Sequence, residues 1–225
     1  DGDLLIHLAE ESDRAAANRA GEAHVEASTR VAHALSRRFE GRMIYASSAV
    51  VYGDAAGHAP FCVSDPVVSI DAYTRAKILA EAAVLEEGGT VVRLANLFGP
   101  GMSKSNVMSH ILRQIPGDGP VFVRDDTPVR DFLAVDDAAR LFTLLARHRV
   151  RGVINAGSGV GTAIRALAKT ALELCDDVGR EIVATRPGSC LSVNVLDVEE
   201  TANILGWAPS RTLAEYMNTY FFGKG

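Results

Sequence analysis

The sequence predicts an α/β fold, a doubly wound parallel sheet with helices packed on it. Short, mostly apolar runs alternate along the chain with longer segments whose apolar residues recur at three- and four-residue steps. The runs suit strands buried in a parallel sheet. With 225 residues, 48% hydrophobic and 23% charged, the chain can bury a substantial core in one large domain or two small lobes.

Asp3 to Ala9 is the first apolar run. Glu10 to Arg38 reads as a long Ala-rich helix with Ala23, Ala27, Val31, Ala34 and Leu35 on its apolar face and Gly41 ending it. Met43 to Ser48 is the next strand. Ser47 and Ser48 stand at its carboxyl end, where open α/β sheets place ligands. Asp54 to Ser69, with Gly57, Pro60 and Pro66, is loop. Asp71 is placed to cap a helix carrying Tyr73, Ala76, Lys77, Ala80 and Val84 as far as Gly88-Gly89. Thr90 to Leu94 is a buried strand, followed by Asn96 and the turn Gly99-Pro100-Gly101. Ser105 to Ile115 is a short helix before the turn Pro116 to Pro120. Arg130 is expected just ahead of a strand, after which Asp136 or Asp137 caps a helix reaching Arg147. Val153 to Ala156 leads as a strand into Gly157-Ser158-Gly159, and a helix spans Ile164 to Leu174. Glu181 to Thr185 is a strand, and helices over Asp197 to Leu205 and Thr212 to Phe221 close the chain.

The chemistry centres on Tyr73 and Lys77. Four apart on a helix, they share one face. An ammonium beside a phenol favours the phenolate and draws its pKa down from about 10. A Ser hydroxyl from a neighbouring strand end can then hydrogen-bond the reacting oxygen. Such a trio moves a proton on or off a sugar or alcohol hydroxyl.

The order of motifs sharpens this. Ser47-Ser48-x-x-Val51-Tyr52-Gly53 precedes Tyr73-x-x-x-Lys77. Arg93-Leu94-Ala95-Asn96-Leu97-Phe98-Gly99-Pro100-Gly101, Val129-Arg130-Asp131-Phe132 and Leu205-Gly206-Trp207 follow. The set resembles the extended short-chain dehydrogenase/reductase family, the NAD-dependent epimerase/dehydratases of nucleotide sugars, whose sheet is of the Rossmann type. The resemblance implies that Ser48, Tyr73 and Lys77 are catalytic and that Leu8, Ala9, Ser47, Tyr73 and Lys77 meet NAD, with NADP possible. It also implies that Asn96, Asn106, Val107, Arg130 and Arg186 meet the nucleotide-sugar substrate. On the residues alone, Asn96 can equally be a turn-forming Asn, Val107 a core residue, Arg130 half of an ion pair and Arg186 a solvated loop residue.

The family opens on a glycine-rich turn that this sequence does not contain. The expectation is therefore a sheet without its first βα units, on the order of 60–80 residues. By the same resemblance, residues 1–99 and about 130–158 form a partial dinucleotide-binding domain, and 100–129 and 159–225 a substrate lobe. Family dehydratases carry Thr-Asp-Glu where this chain has Ser48-Ala49-Val50, so a dehydratase is disfavoured, as is a decarboxylase. The function implied is C4 epimerisation of a nucleotide hexose through a 4-keto intermediate. A 4-keto-sugar reductase and a non-catalytic dinucleotide- or sugar-binding module are the alternatives.

A net charge of −5 argues against a nucleic-acid partner. Cys62, Cys175 and Cys190 have no metal-like spacing and read as thiols of a reducing cytoplasm, with no metal expected. No apolar run suggests a leader or a membrane span. The small residues Ala72, Ala76, Ala80 and Ala83 allow close helix packing, and the resemblance implies a homodimer through a helix bundle.

Overall fold

A computed structural model describes residues 3–54, 60–186, 188 and 191–223. The expectations that touch Gly57, Pro187, Ser189 and Cys190 lie outside the described residues. The first apolar run forms β1 (Leu5–His7), which pairs in parallel with β2 (Met43–Ser48). The expected single helix between them is two, α1 (Arg14–Ala20) and α2 (Glu22–Phe39). Gly21 divides them at φ 58, a left-handed backbone that glycine adopts without a Cβ penalty. Glu40 rather than Gly41 caps α2, itself in the left-handed region at φ 44.

Beyond β2 come a 3-10 turn at Ala49–Tyr52, α3 (Ala72–Glu86), β3 (Thr90–Leu94), β4 (Asn96–Phe98) and α4 (Val107–Leu112). They are followed by β5 (Val121–Val123), β6 (Val129–Ala134), α5 (Val135–His148) and β7 (Gly152–Ala156). The chain ends with β8 (Gly161–Ala163), α6 (Ile164–Leu174), β9 (Ile182–Ala184), β10 (Val193–Asn194), α7 (Glu199–Leu205) and α8 (Leu213–Met217). A π-turn at Asn218–Phe222 continues α8. Two expectations are corrected. Arg130 lies inside β6 rather than ahead of it. Ala134, with no side-chain bond, precedes α5, so neither Asp136 nor Asp137 caps it; Asp137 instead accepts from Ser210 and Arg140.

The main sheet runs β1-β2-β3-β7, all parallel, and both of its faces are covered. Alternate residues of β2 and β3 show how. Met43, Tyr45 and Val91 pack with Ala32 of α2 and Ala80, Ala83 and Val84 of α3. Ile44 and Val92 face the other way, onto Leu141 and Leu145 of α5 and onto Trp207. Strands sandwiched this way need apolar residues at every position, which is why their runs read as continuous. Three of the alanines of α3, Ala76, Ala80 and Ala83, are spent inside the chain, whereas Ala72 is half-buried and Ala82 exposed.

A second layer carries the rest. β10, β6 and β4 lie side by side in parallel, with β8 antiparallel against β6, and β5 pairs with β9. Leu133 of β6 joins the Trp207 core, whereas Phe132 and Ala134 join a separate core with Met108, Ile111, Leu167 and Met217. One strand thus ties two cores together. Among the described residues no helix is long and apolar enough to cross a membrane.

Asp71 sets the entry of α3. Its carboxylate accepts from Thr74 N–H while the Thr74 hydroxyl accepts from Asp71 N–H, a reciprocal capping box. Burial pushes this carboxyl up, but hydrogen bonds from Thr74, Asn18 and Arg14 outweigh burial and hold it at about 2. A depressed carboxyl adds stability above its unfolded pKa, and that stability is lost as pH falls through the folded value. Asp71→Ala is expected to cost about 1–2 kcal/mol in urea unfolding at pH 7. The gap from wild type should close as pH falls from about 4 towards 2.

Candidate active site

The carboxyl end of β2 and the first turn of α3 meet. Ser48 leaves the strand in extended conformation, and its Oγ accepts Val50 N–H to start the 3-10 turn. On α3, Tyr73 sits just past the cap, its backbone N–H donating to Asn18 Oδ1 at 3.0 Å. Its ring is buried and its hydroxyl faces that of Ser48, which lowers the pKa of the phenol. Ser48 and Tyr73, separated by a loop in sequence, are therefore brought together.

Lys77 follows one turn later, 7% exposed. Its ammonium binds the Glu10 carboxylate and donates to Ala46 O at 2.9 Å. It stands 4.9 Å from the Tyr45 ring centroid and 5.9 Å from that of Tyr73. Glu10 also accepts from Tyr45 O–H at 2.7 Å and Ser28 Oγ–H at 2.8 Å. Burial pushes its carboxyl up, but the Lys77 charge and these hydrogen bonds hold it below its usual value. Tyr73 behaves differently from the expectation that Lys77 makes it acidic. Burial pushes its phenol up, the Ser48 hydroxyl recovers only part of this, and the Glu10 charge adds to the rise. The Lys77 charge is taken up by Glu10, which touches it.

Glu81 continues the same helix face. It accepts from Ser47 Oγ–H at 2.5 Å and from Arg93 Nη2–H at 2.8 Å. Arg93 also donates to Val63 O and lies 4.7 Å over the Tyr52 ring, while Tyr52 donates to Asn155 Oδ1. Ser47 thus points into a buried network beneath the site.

Ser48 lines a cavity of about 70 Å³ together with Arg14, Ala49, Val50, Asp54, Asn96, Arg130 and Asn194. A cavity this small seats one end of a ligand, since whole-ligand pockets run from about 300 Å³ upward. Arg130 is held over it by donations to Val129 O, Ser192 O and Ser192 Oγ, with Asp54 at 3.4 Å. Burial lowers its pKa, opposed by Asp54 and assisted by Arg14. Its neighbour Asp131 points to the opposite side of β6, as strand alternation requires. Asp131 is fully buried and accepts from Ser158 N–H, Ser158 Oγ–H, Gly159 N–H and Leu196 N–H. A Cβ at Gly157 would collide with that carboxylate. Asn96 lines the cavity and donates to Asp131 O at 3.1 Å.

The remaining expected residues are spread out. Leu8 and Ala9 are exposed at the end of β1. Asn106 is committed to structure, capping α4 through Met108 N–H and donating to Leu97 O. Val107 packs against the second core. Arg186 is exposed and is not among the residues lining the cavity. Arg14, Glu10, Glu81 and Arg93 were missed. For Glu81 a signal existed, because Tyr73, Lys77 and Glu81 recur every fourth residue and must share a face. Among the described residues no group of His, Cys, Asp and Glu could hold a metal ion.

A sequence profile of the NAD dependent epimerase/dehydratase family matches residues 1–157. UDP-glucose 4-epimerase of Streptomyces lividans is 27% identical over 193 residues, covering 76% of this chain and 58% of that protein. The dTDP-6-deoxy-L-talose 4-dehydrogenase (NAD(P)(+)) of Kitasatospora kifunensis is 28% identical over 190 residues, covering 77% of this chain and 60% of that protein. The chain therefore spans less than two thirds of the length of these curated relatives. The structure of RMD from Pseudomonas aeruginosa complexed with NADPH superposes with TM-score 0.86 at 26% identity, covering 96% of this chain and 78% of the other. Decarboxylases and dehydratases of nucleotide sugars are also among the similar proteins.

The Glu81–Arg93 pair, with side chains 4% and 7% exposed, carries a direct expectation. Arg93→Met strands a buried carboxylate and should cost about 3–5 kcal/mol in urea unfolding. Adding Glu81→Leu should recover most of that loss, because a buried ion pair replaced by apolar groups is often neutral.

Proposed function

Because the chain belongs to the NAD dependent epimerase/dehydratase family, we propose that it is part of an NAD(P)-linked enzyme that interconverts C4 epimers of a nucleotide hexose. The observation that carries this is Tyr73 facing Ser48, which lines a cavity where Ala49 and Val50 stand in place of acids. By the family resemblance, elimination of water from the sugar uses a carboxyl at that strand end. Oxidation and reduction at a hydroxyl need only a phenol and a hydroxyl to handle the proton.

The residues fit a dinucleotide at this place. Lys77 has three N–H groups, and Glu10 and Ala46 O take two, leaving one for a ribose hydroxyl. His7 Nε2, at the end of β1, is buried without a hydrogen-bond partner. Leu8 and Ala9 offer exposed backbone beside it. NAD, when bound, supplies the acceptor and donor of the C4 hydride.

The chain's own residues handle the rest. Tyr73 takes the C4 hydroxyl proton and later returns one to the ketone oxygen. Ser48 hydrogen-bonds that oxygen in both directions, and Lys77 holds the ribose. Arg130, with Asn96 and Arg14 on the same cavity, receives the diphosphate end. Inversion requires the ketone to turn its other face before the C4–H bond re-forms. In this reading residues 1–99 and about 130–158 carry the dinucleotide, and 100–129 and 159–225 the sugar nucleotide. Exposed Val31 on α2 and Leu79 and Leu85 on α3 support a homodimer through these helices.

The high Tyr73 pKa favours a second reading, a 4-keto-sugar reductase, because a phenol that stays protonated is ready to donate to a ketone oxygen. The full-length protein with NAD and UDP-glucose is expected to give UDP-galactose, followed by NMR, without net NADH. Net NADPH consumption with a 4-keto sugar and no epimer exchange would replace epimerase by reductase. Calorimetric binding of the nucleotide sugar with no turnover would leave a binding module. Tyr73→Phe should retain ligand affinity and lose at least about 10²-fold in rate. An unchanged rate removes Tyr73 from the mechanism.

A further inference from the structure

How readily Tyr73 ionises depends on how much of the Lys77 charge reaches it, and a carboxylate stands against that charge. Glu10 immediately follows the His7-Leu8-Ala9 end of β1. Its Oε2 meets the Lys77 ammonium and the Tyr45 hydroxyl, and its Oε1 meets Ser28 Oγ. The two charged side chains are 8% and 10% exposed, so water does little to separate them. Lys77 is meanwhile 5.9 Å from the Tyr73 ring centroid. At that distance an ammonium already in contact with a carboxylate acts as a dipole, far weaker than a lone cation.

We propose that Glu10 is a positioning residue for the Tyr73 phenol: it fixes Lys77 in place and withholds the Lys77 charge from that phenol. The proposal rests on the reading of Tyr73 as the acid–base group. The other groups facing Tyr73 leave this role to Glu10. Ser48 and Tyr45, from β2, are neutral hydroxyls. Arg14 of α1 and Asp71 at the cap of α3 pair with each other at 2.6 Å, so their fields at Tyr73 oppose. What remains is the balance between Lys77, on the same helix, and Glu10. Ser28 and Tyr45 orient the carboxylate that sets this balance.

The test reads the phenol directly. In the full-length protein labelled with [13Cζ]tyrosine, the Tyr73 signal is assigned by its loss in Tyr73→Phe and followed against pH. Glu10→Gln keeps the side-chain shape and removes the negative charge. Its Tyr73 midpoint is expected at least about one pH unit below wild type. A midpoint that stays put or rises overturns the proposal. If Glu10→Gln does not fold, Glu10→Gln/Lys77→Met removes both charges together. The midpoint should then stay within about half a unit of wild type. A rise of a full unit would mean that Lys77 had acted on Tyr73 unopposed, and would overturn the proposal. Neither titration needs substrate or dinucleotide. A shifted midpoint without epimer exchange therefore sinks the proposed reaction and keeps the assignment of Glu10.

Discussion

Helix α3 turns three polar side chains, Tyr73, Lys77 and Glu81, towards a sheet that is otherwise apolar, and burial obliges each to be paired. An unpaired buried charge costs several kcal/mol, so the partners fix the helix as firmly as its alanines do. Tyr73 faces Ser48, Lys77 takes Glu10 and Ala46 O, and Glu81 takes Ser47 and Arg93. These partners come from the ends of β1 and β2 and from β3. The demand for polar satisfaction along one helix face thus sets the register between α3 and the strand ends where a ligand would sit.

The same economy appears across β6. Strand alternation sends Arg130 to the cavity and Asp131 into the interior. Asp131 is satisfied by Ser158, Gly159 and Leu196, which pins the turn after β7 to the strand before α5. Burial still pushes its carboxyl up, so four donors do not fully offset desolvation. Gly157 belongs to this arrangement for steric reasons, because any side chain there would meet the carboxylate. The cavity wall carrying Arg130 and Asn96 is therefore held from behind by a carboxylate that itself never reaches it.

Much of this was legible in the residues. The strands Met43–Ser48 and Thr90–Leu94 and the helix Ile164–Leu174 match their expected bounds, because strong apolar patterns and clear breakers surround them. Gly21 reads as helical because its neighbours keep helical periodicity on both sides, and periodicity carries no information about a positive φ. Two acidic residues invite a cap at Asp136 or Asp137, whereas Ala134 emerges from a strand already in extended conformation and starts α5. Ser48, Tyr73 and Arg130 could be singled out from local motifs. Glu10, Arg14 and Arg93 could not, since their partners lie 67, 57 and 12 residues away and only the folded sheet brings them together.

The pairing of Lys77 with Glu10 also changes the division of labour that a Tyr-x-x-x-Lys motif suggests. Spacing alone says that the two side chains share a face, and Coulomb's law then lets the lysine acidify the tyrosine. That inference holds only while the lysine has no nearer anion. Here it touches one, in a region too dry for water to weaken the contact, and the phenol is left to burial and a serine hydroxyl. A phenol in that condition starts as an acid. To accept a proton it must first lose its own, which burial and the Glu10 charge resist. The protonation of such a phenol is then governed by the ion pair beside it as much as by the phenol itself.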